Sequence, residues 1–247
     1  MPSLDDLKKR ITSVKSTQKI TKAMKMVAAA KMRRAQERME QSRPYSNSLA
    51  EVIQHLLPDV EREMLPLLDI RDVKRKAYVV VSADRGLAGA FNTNILKIAQ
   101  KEIDEFGKEN VDLFCIGKKS RDHFKRRDYN IIESHVEFWA EMEFENAMMI
   151  GRSIIDHFTS GQVDEIHVVY NYFLNIAHQE VKSESLLPLV YESVERVRHN
   201  RLYEPSKEEL VTSLIPRHLN VQMWKYLLES YASEPVSYTH LTLPTIL

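Results

Sequence analysis

The longest regular pattern of apolar and polar positions lies at the start of the chain. Apolar residues recur at three- and four-residue steps through Leu4, Leu7, Ile11 and Val14, and again through Met24, Ala28, Met32, Ala35 and Met39. That spacing predicts a helix with a seam for another helix. Ile11 to Met39 holds neither Gly nor Pro and is rich in strong helix formers. Ser3 is a suitable N-cap, and Asp5 and Asp6 suit the positive end of the helix dipole. Polar Gln18 and Thr21 interrupt the seam, as residues that fix register or partner do. Pro44 permits a bend, and the helix should fade near Leu57–Pro58. Fifty-odd residues make a rod of about 80 Å, far longer than the helices of ordinary globular domains.

From Ala77 the pattern changes. AYVVVS (Ala77–Ser82) and VDLFCI (Val111–Ile116) read as buried strands, Tyr129–Glu133 as a third, Asp164–Tyr172 as a fourth and Val181–Tyr191 as a fifth. Helical spacing separates them over Asn94–Phe106, Lys118–Arg127 and Glu141–Phe158, the last stopped by Gly161. Alternation of strand and helix predicts an α/β, Rossmann-like domain with a mostly parallel sheet. The chain turns helical again from Ser206, where Ser206 and Glu209 resemble a capping box and Pro216 should kink the helix. Helical spacing stops at Glu234. The final thirteen residues, PVSYTHLTLPTIL, depart from the pattern and read as a tail foreign to it. The expected organisation is a helix over 1–57, a connector over 58–76, the α/β domain over 77–205, a second helix over 206–234 and the tail over 235–247.

Charge sharpens this picture. The chain of 247 residues is neutral in sum. Yet its first helix carries Lys8, Lys9, Arg10, Lys15, Lys19, Lys22, Lys25, Lys31, Arg33 and Arg34 against only Asp5 and Asp6 up to Arg34. An electrostatic partner for one element follows, not a wholly nucleic-acid-binding protein. The helix lacks the aromatics of single-strand binders and the Trp or Phe wedge of interfacial helices. The single cysteine, Cys115, excludes an intrachain disulfide and sits in a strand. No apolar run is long enough to span a membrane, and the N-terminus lacks the apolar core of a signal peptide.

Candidate chemistry is sparse. SADRGLAGAFN lies at a strand-to-helix turn, where α/β folds bind phosphates. Its glycines are spaced G-x-x-G, unlike either phosphate-binding fingerprint, so a tight turn with Gly86 at positive φ is the preferred reading. Asp84 and Arg85 could dock a partner or cap the following helix, and both readings stand. The histidines show no paired metal spacing. Glu141, Glu143 and Glu145 suit a helix start better than paired-carboxylate catalysis. No cofactor or metal is expected. Met24, Met26, Met32 and Met39 read first as core filler and, on an exposed helix, as an adaptable contact surface.

Four segments carry a family resemblance: TQKITKAMKMVAAAKMRRAQ (Thr17–Gln36), SRPY (Ser42–Tyr45), SADRGLAGAFN (Ser82–Asn92) and SLIPRHL (Ser213–Leu219). With them the chain closely resembles the gamma subunits of F-type ATP synthases, from about Leu4 to Glu234. The resemblance implies an antiparallel coiled coil of the terminal helices with an inserted α/β domain. It implies a non-catalytic central-stalk rotor, coupling proton flow through a membrane ring to ATP synthesis or hydrolysis at the beta subunits. The implied partners are the alpha and beta subunits, the epsilon subunit and the ring of c subunits. An acidic loop of beta is expected to touch the shaft at Lys22, Met24 and Lys25, with Asp84, Arg85 and Gly86 as a second contact or a turn. The implied location is peripheral, on the cytoplasmic side of a bacterial inner membrane, with the mitochondrial matrix side as the alternative. Family members continue with a further long helix where PVSYTHLTLPTIL stands here, and many have Cys at the position of Ala88. A nucleotide-dependent enzyme with the long helix as an oligomerisation arm is the competing reading, and a nucleic-acid binder using the basic helix is the third.

Overall fold

A computed structural model describes residues 3–61, 65–86, 90–175, 179–191, 204 and 206–239, except the side chains of Met24, Lys25, Ala28, Lys31, Arg43, Asp59 and residues 235–239. Helix α1 runs Leu4–Leu56 and passes through Pro44 without ending. Ser3 caps it: the Asp6 N–H donates to Ser3 Oγ at 3.2 Å, and the Ser3 N–H donates back to the Asp6 carboxylate at 3.1 Å. Leu57–Asp59 forms a short 3-10 turn at the expected stop.

The α/β domain follows as β1 (Lys76–Val81), α2 (Ala90–Phe106), β2 (Val111–Ile116), α3 (Lys118–Lys125), β3 (Asn130–His135), α4 (Phe144–Thr159), β4 (Glu165–Phe173) and β5 (Gln179–Leu187). The sheet order is β3-β2-β1-β4-β5. The first four strands are parallel, and β5 returns antiparallel to β4. β1 is buried on both faces: Ala77, Val79 and Val81 join the core holding α4, whereas Tyr78 and Val80 join the one holding α2 and α3. This is why it reads as an unbroken apolar run. Glu143 forms a capping box with Asn146 at the start of α4. Gly161, at φ +72°, follows α4 as expected.

Buried charge locks one edge of the sheet. The Asp112 carboxylate on β2 accepts from Arg75 at 2.8 Å and Asn130 at 2.7 Å, and it bonds His157 Nε2 of α4 at 2.7 Å. Asp112 is 2% exposed. Such a charge is tolerated only because its lone pairs are occupied.

Helix α5 spans Lys207–Thr239. Its start matches the predicted cap, with the Glu209 N–H donating to Ser206 Oγ at 3.1 Å. Its end corrects the reading at Glu234: the backbone stays helical through Pro216 and Pro235 as far as Thr239. Pro235 removes one donor without breaking the remaining ladder. Val211, Ile215, Leu219, Val221, Met223, Leu227, Leu228 and Ala232 are all buried, so α5 is apolar on several sides. The reason is that it packs between α1 and the domain, against α4 and β4. Strand ends also differ from expectation. β5 begins earlier and stops before Pro188, and β3 extends to His135. Both are edge strands with weak apolar alternation, so their sequences mark their limits poorly.

Candidate functional site

The two halves of α1 differ. In the lower half Ala35, Met39, Leu49, Ile53 and Leu56 are buried. There Arg217 of α5 lies over the Tyr45 ring, 5.4 Å from its centroid, while Arg38 and Arg34 act on the Tyr231 phenol. In the upper half Leu4, Leu7, Ile11, Val14, Ile20, Met26 and Val27 are exposed, Leu4 by 76% and Val14 by 60%. The predicted seam is therefore bare at Leu4, Leu7, Ile11 and Val14, and covered at Ala35 and Met39. Thr12, Thr17 and Thr21 donate their hydroxyls to the carbonyls of Lys8, Ser13 and Thr17. Thr21 thus satisfies itself within the helix and leaves the stripe polar-neutral. Lys22 is exposed beside this stripe. The side chains of Met24 and Lys25 lie outside the described residues.

The second candidate region is the turn after β1, at the C-terminal edge of the sheet. Asp84 accepts the Lys118 N–H at 2.8 Å on one oxygen and the Glu137 N–H at 2.7 Å on the other. It ties the end of β1 to the loops after β2 and β3, an internal clamp across three strands rather than a cap of the following helix. Asn92, within α2, holds the loop instead, accepting the Ala83 N–H at 3.0 Å and donating to the Arg85 carbonyl at 3.3 Å. Arg85 and Gly86 are exposed. The expectation of positive φ at Gly86 is corrected: positive φ among described glycines falls at Gly107, Gly117 and Gly161. The tight approach is at Gly117, which the sequence marks only as the end of a strand. A Cβ there would lie 2.1 Å from the Ser82 carbonyl oxygen.

Asp84, Arg85, Lys118, Glu137, Trp139, Ala140 and Glu234 line an open cleft of about 310 Å³. Lys118 Nζ donates to Glu137 at 2.6 Å. Each partner steadies the other's charge, raising the Lys118 pKa and lowering that of Glu137. Among the described residues no group of three or more His, Cys, Asp or Glu could hold a metal.

Open α/β sheets take ligands at the C-terminal edge where the strand order reverses, here between β1 and β4. That end of β4 is bonded to α5. The Asn171 N–H donates to Ser230 Oγ at 3.3 Å, and Ser233 Oγ donates to the Asn171 carbonyl at 3.4 Å. The position that would receive a nucleotide receives the chain's own helix. The geometry defines an interaction scaffold: a helical shaft with one bare end, carrying an α/β domain that its second helix holds at the switch point.

The comparisons agree with that class. Residues 3–238 match the family model described as ATP synthase. The ATP synthase gamma chain of Chloroherpeton thalassium is 41% identical, over 96% of this chain and 84% of that one. That of Prosthecochloris aestuarii is 43% identical, over 95% and 82%. The chain belongs to the ATP synthase gamma-chain family. In fold it is similar to a chain of the Tetrahymena thermophila mitochondrial ATP synthase central stalk and c-ring, at TM-score 0.70 and 24% identity over 89% of this chain and 96% of that one. A chain of the Euglena gracilis mitochondrial ATP synthase rotor gives 0.61 at 18% identity, over 94% and 86%. The nucleotide-dependent enzyme falls away as a reading.

Proposed function

We propose that this chain is the non-catalytic rotor of an F-type ATP synthase, its shaft standing in the ring of alpha and beta subunits. The observation that carries the reading is the bare upper half of α1 in a chain of this family. A monomeric soluble domain has no use for seven exposed large apolar residues along one helix, whereas a shaft enclosed by partners does. The order along the two helices supports an antiparallel coiled coil of α1 and α5: Arg217 lies over Tyr45, and Tyr231, further along α5, feels the charges of Arg38 and Arg34, earlier in α1. The domain limits are those given above, with the second helix extended to Thr239.

In this reading Lys22, Met24 and Lys25 meet an acidic loop of a beta subunit. Complementary charge steers the contact, and the flexible thioether tolerates sliding. Arg85 and Gly86, presented at the foot by the Asp84 clamp, form the second contact surface, and epsilon and the c subunits also bind the foot. No nucleic acid is involved. Among the described residues no helix is long and apolar enough to cross a membrane. The place proposed for the chain, from its family, is peripheral, on the cytoplasmic face of a bacterial inner membrane. Torque then passes between membrane ring and catalytic ring through α1 and α5.

Reconstitution with the alpha and beta subunits of a gamma-chain relative tests this. The expected product holds one copy of this chain per ring of alternating subunits. A chain that stays out of the ring, or that alone binds and turns over ATP, overturns the reading.

A further inference from the structure

A rotor that drives its foot needs a joint that resists twisting, and apolar packing alone resists it poorly. Contacts such as those of Leu219 and Leu227 are non-directional, so a helix can roll on them at modest cost. Directional hydrogen bonds at fixed spacing prevent rolling. Three such positions occur on α5. Tyr226, Ser230 and Ser233 are spaced i, i+4, i+7, which places them on one helical face. All three are buried, and each bonds the same part of the sheet. Ser230 accepts from the Asn171 N–H, and Ser233 shares its hydroxyl proton between the Glu229 carbonyl of its own helix at 2.9 Å and the Asn171 carbonyl at 3.4 Å. Tyr226 donates to Glu184 Oε2 at 3.2 Å, while Tyr170 of β4 donates to Glu184 Oε1 at 2.9 Å.

Resting on the rotor reading above, we infer that Glu184, shared between the Tyr170 and Tyr226 hydroxyls, is the torsional lock between the shaft and the α/β domain, with Ser230 and Ser233 completing it. Glu184 sits on β5 opposite Val168 of β4, so its carboxylate joins both strands of the hairpin to the helix. The two tyrosine rings pack at 4.5 Å between centroids, tilted by 53°, which fixes the hydroxyls side by side. A carboxylate with two oxygens can accept both at once. Burial, with the negative charge of Glu184 and Glu229, raises both phenol pKa values. Both hydroxyls therefore stay protonated donors. Rolling α5 by a single residue turns its bonding face by about 100° and breaks every bond at once. These are positioning residues. They touch no substrate, and they transmit rotation by fixing the helix to the sheet.

Two arms test the lock. In the first, the full chain carries spin labels at Glu40→Cys on the shaft and Lys97→Cys on the domain, both exposed, while Cys115 is buried. Tyr226→Phe should widen the label-to-label distance distribution at least about twofold with the domain still folded, and Glu184→Gln should widen it less. The double variant should match Tyr226→Phe alone, because that change has already removed the bond that Glu184→Gln only weakens. The exposed Thr212→Val, whose hydroxyl bonds only its own helix, should do nothing. An unchanged distribution in Tyr226→Phe, or additive effects in the double variant, overturns the lock. In the second arm the assembled enzyme should keep its ATPase rate in Tyr226→Phe while protons pumped per ATP fall several-fold. Pumping per ATP equal to wild type overturns the role in torque. A wild-type chain that fails to assemble overturns the rotor reading instead, and the distance measurement then decides the joint by itself.

Discussion

Replacing Gly117 by Ala is the sharpest test of how the sheet's C-terminal edge is built. Gly117 stands at φ +92°, between β2 and α3. With ψ at 149° this is a region almost confined to glycine, and holding an L residue there costs about 1–3 kcal/mol. The added Cβ would also lie 2.1 Å from the Ser82 carbonyl oxygen, 2.7 Å from its carbon and 2.8 Å from Ser82 Oγ. Ser82 cannot step aside. Its N–H donates to the Ile116 carbonyl at 2.7 Å, and its hydroxyl accepts the Ser120 N–H at 2.8 Å. Overpacking against such fixed atoms costs about 1–3 kcal/mol more. The expected loss is about 3 kcal/mol, or about 6–12 °C in midpoint for a chain of this size. Gly86→Ala is the control: its Cβ would meet only the flexible end of Lys119, at 3.5 Å, so the change should stay within about 0.5 kcal/mol. Urea unfolding followed by tryptophan fluorescence measures both. Equal midpoints for Gly117→Ala and wild type, or an equal loss in Gly86→Ala, would refute the reasoning.

Further outcomes follow from the same geometry. Asp112→Asn leaves Arg75, Asn130 and His157 facing an amide, and should cost about 3 kcal/mol, read from the urea midpoint; a loss within error of zero would show that the buried charge is not holding the edge. His218 is buried, its Nδ1 has no partner among the described residues, and burial lowers its pKa. The unfolded chain then takes up the proton first, so stability should fall as pH drops below about 6.5. His218→Gln should flatten that part of the pH–stability curve, and an unchanged slope would count against the assignment. Met24→Lys adds a cation beside Lys22 and Lys25, and should disturb ATP-driven proton pumping in the assembled enzyme without changing the thermal midpoint; unaltered pumping would speak against the beta contact. In the isolated monomeric chain, amides before Val27 should exchange far faster than those of Val111–Ile116, because half a bare helix is marginal in water. Equal protection in the two segments would contradict the description of α1.

Much of this fold is legible in the sequence where burial is complete. Val111–Ile116 shows its own limits because all six residues are buried. The edge strands do not, because partial exposure dilutes their alternation. α1 is legible from its seam and its cap, and the bare half from the excess of apolar positions over available partners. What the sequence hides is long-range. Nothing near Glu184 announces Tyr226, and an aspartate inside a strand gives no sign that Arg75 and His157 will close on it. Gly86 and Gly117 look alike as letters, and only the fold separates them, by the positive φ of Gly117 and the approach of Ser82 to it. Pro235 reads as a stop, yet α5 continues through it to Thr239. The switch point follows the same rule: a turn that suggests phosphate binding lies beside a crevice whose occupant comes from residues far along the chain.

The most direct measurement of the central claim is rotation itself. The catalytic ring is fixed to a surface through its beta subunits, and a bead is attached at Lys97→Cys on the exposed face of α2. On addition of ATP the bead should turn in one direction, pausing once for each beta subunit. A bead that stays still while the same complexes hydrolyse ATP would contradict the account.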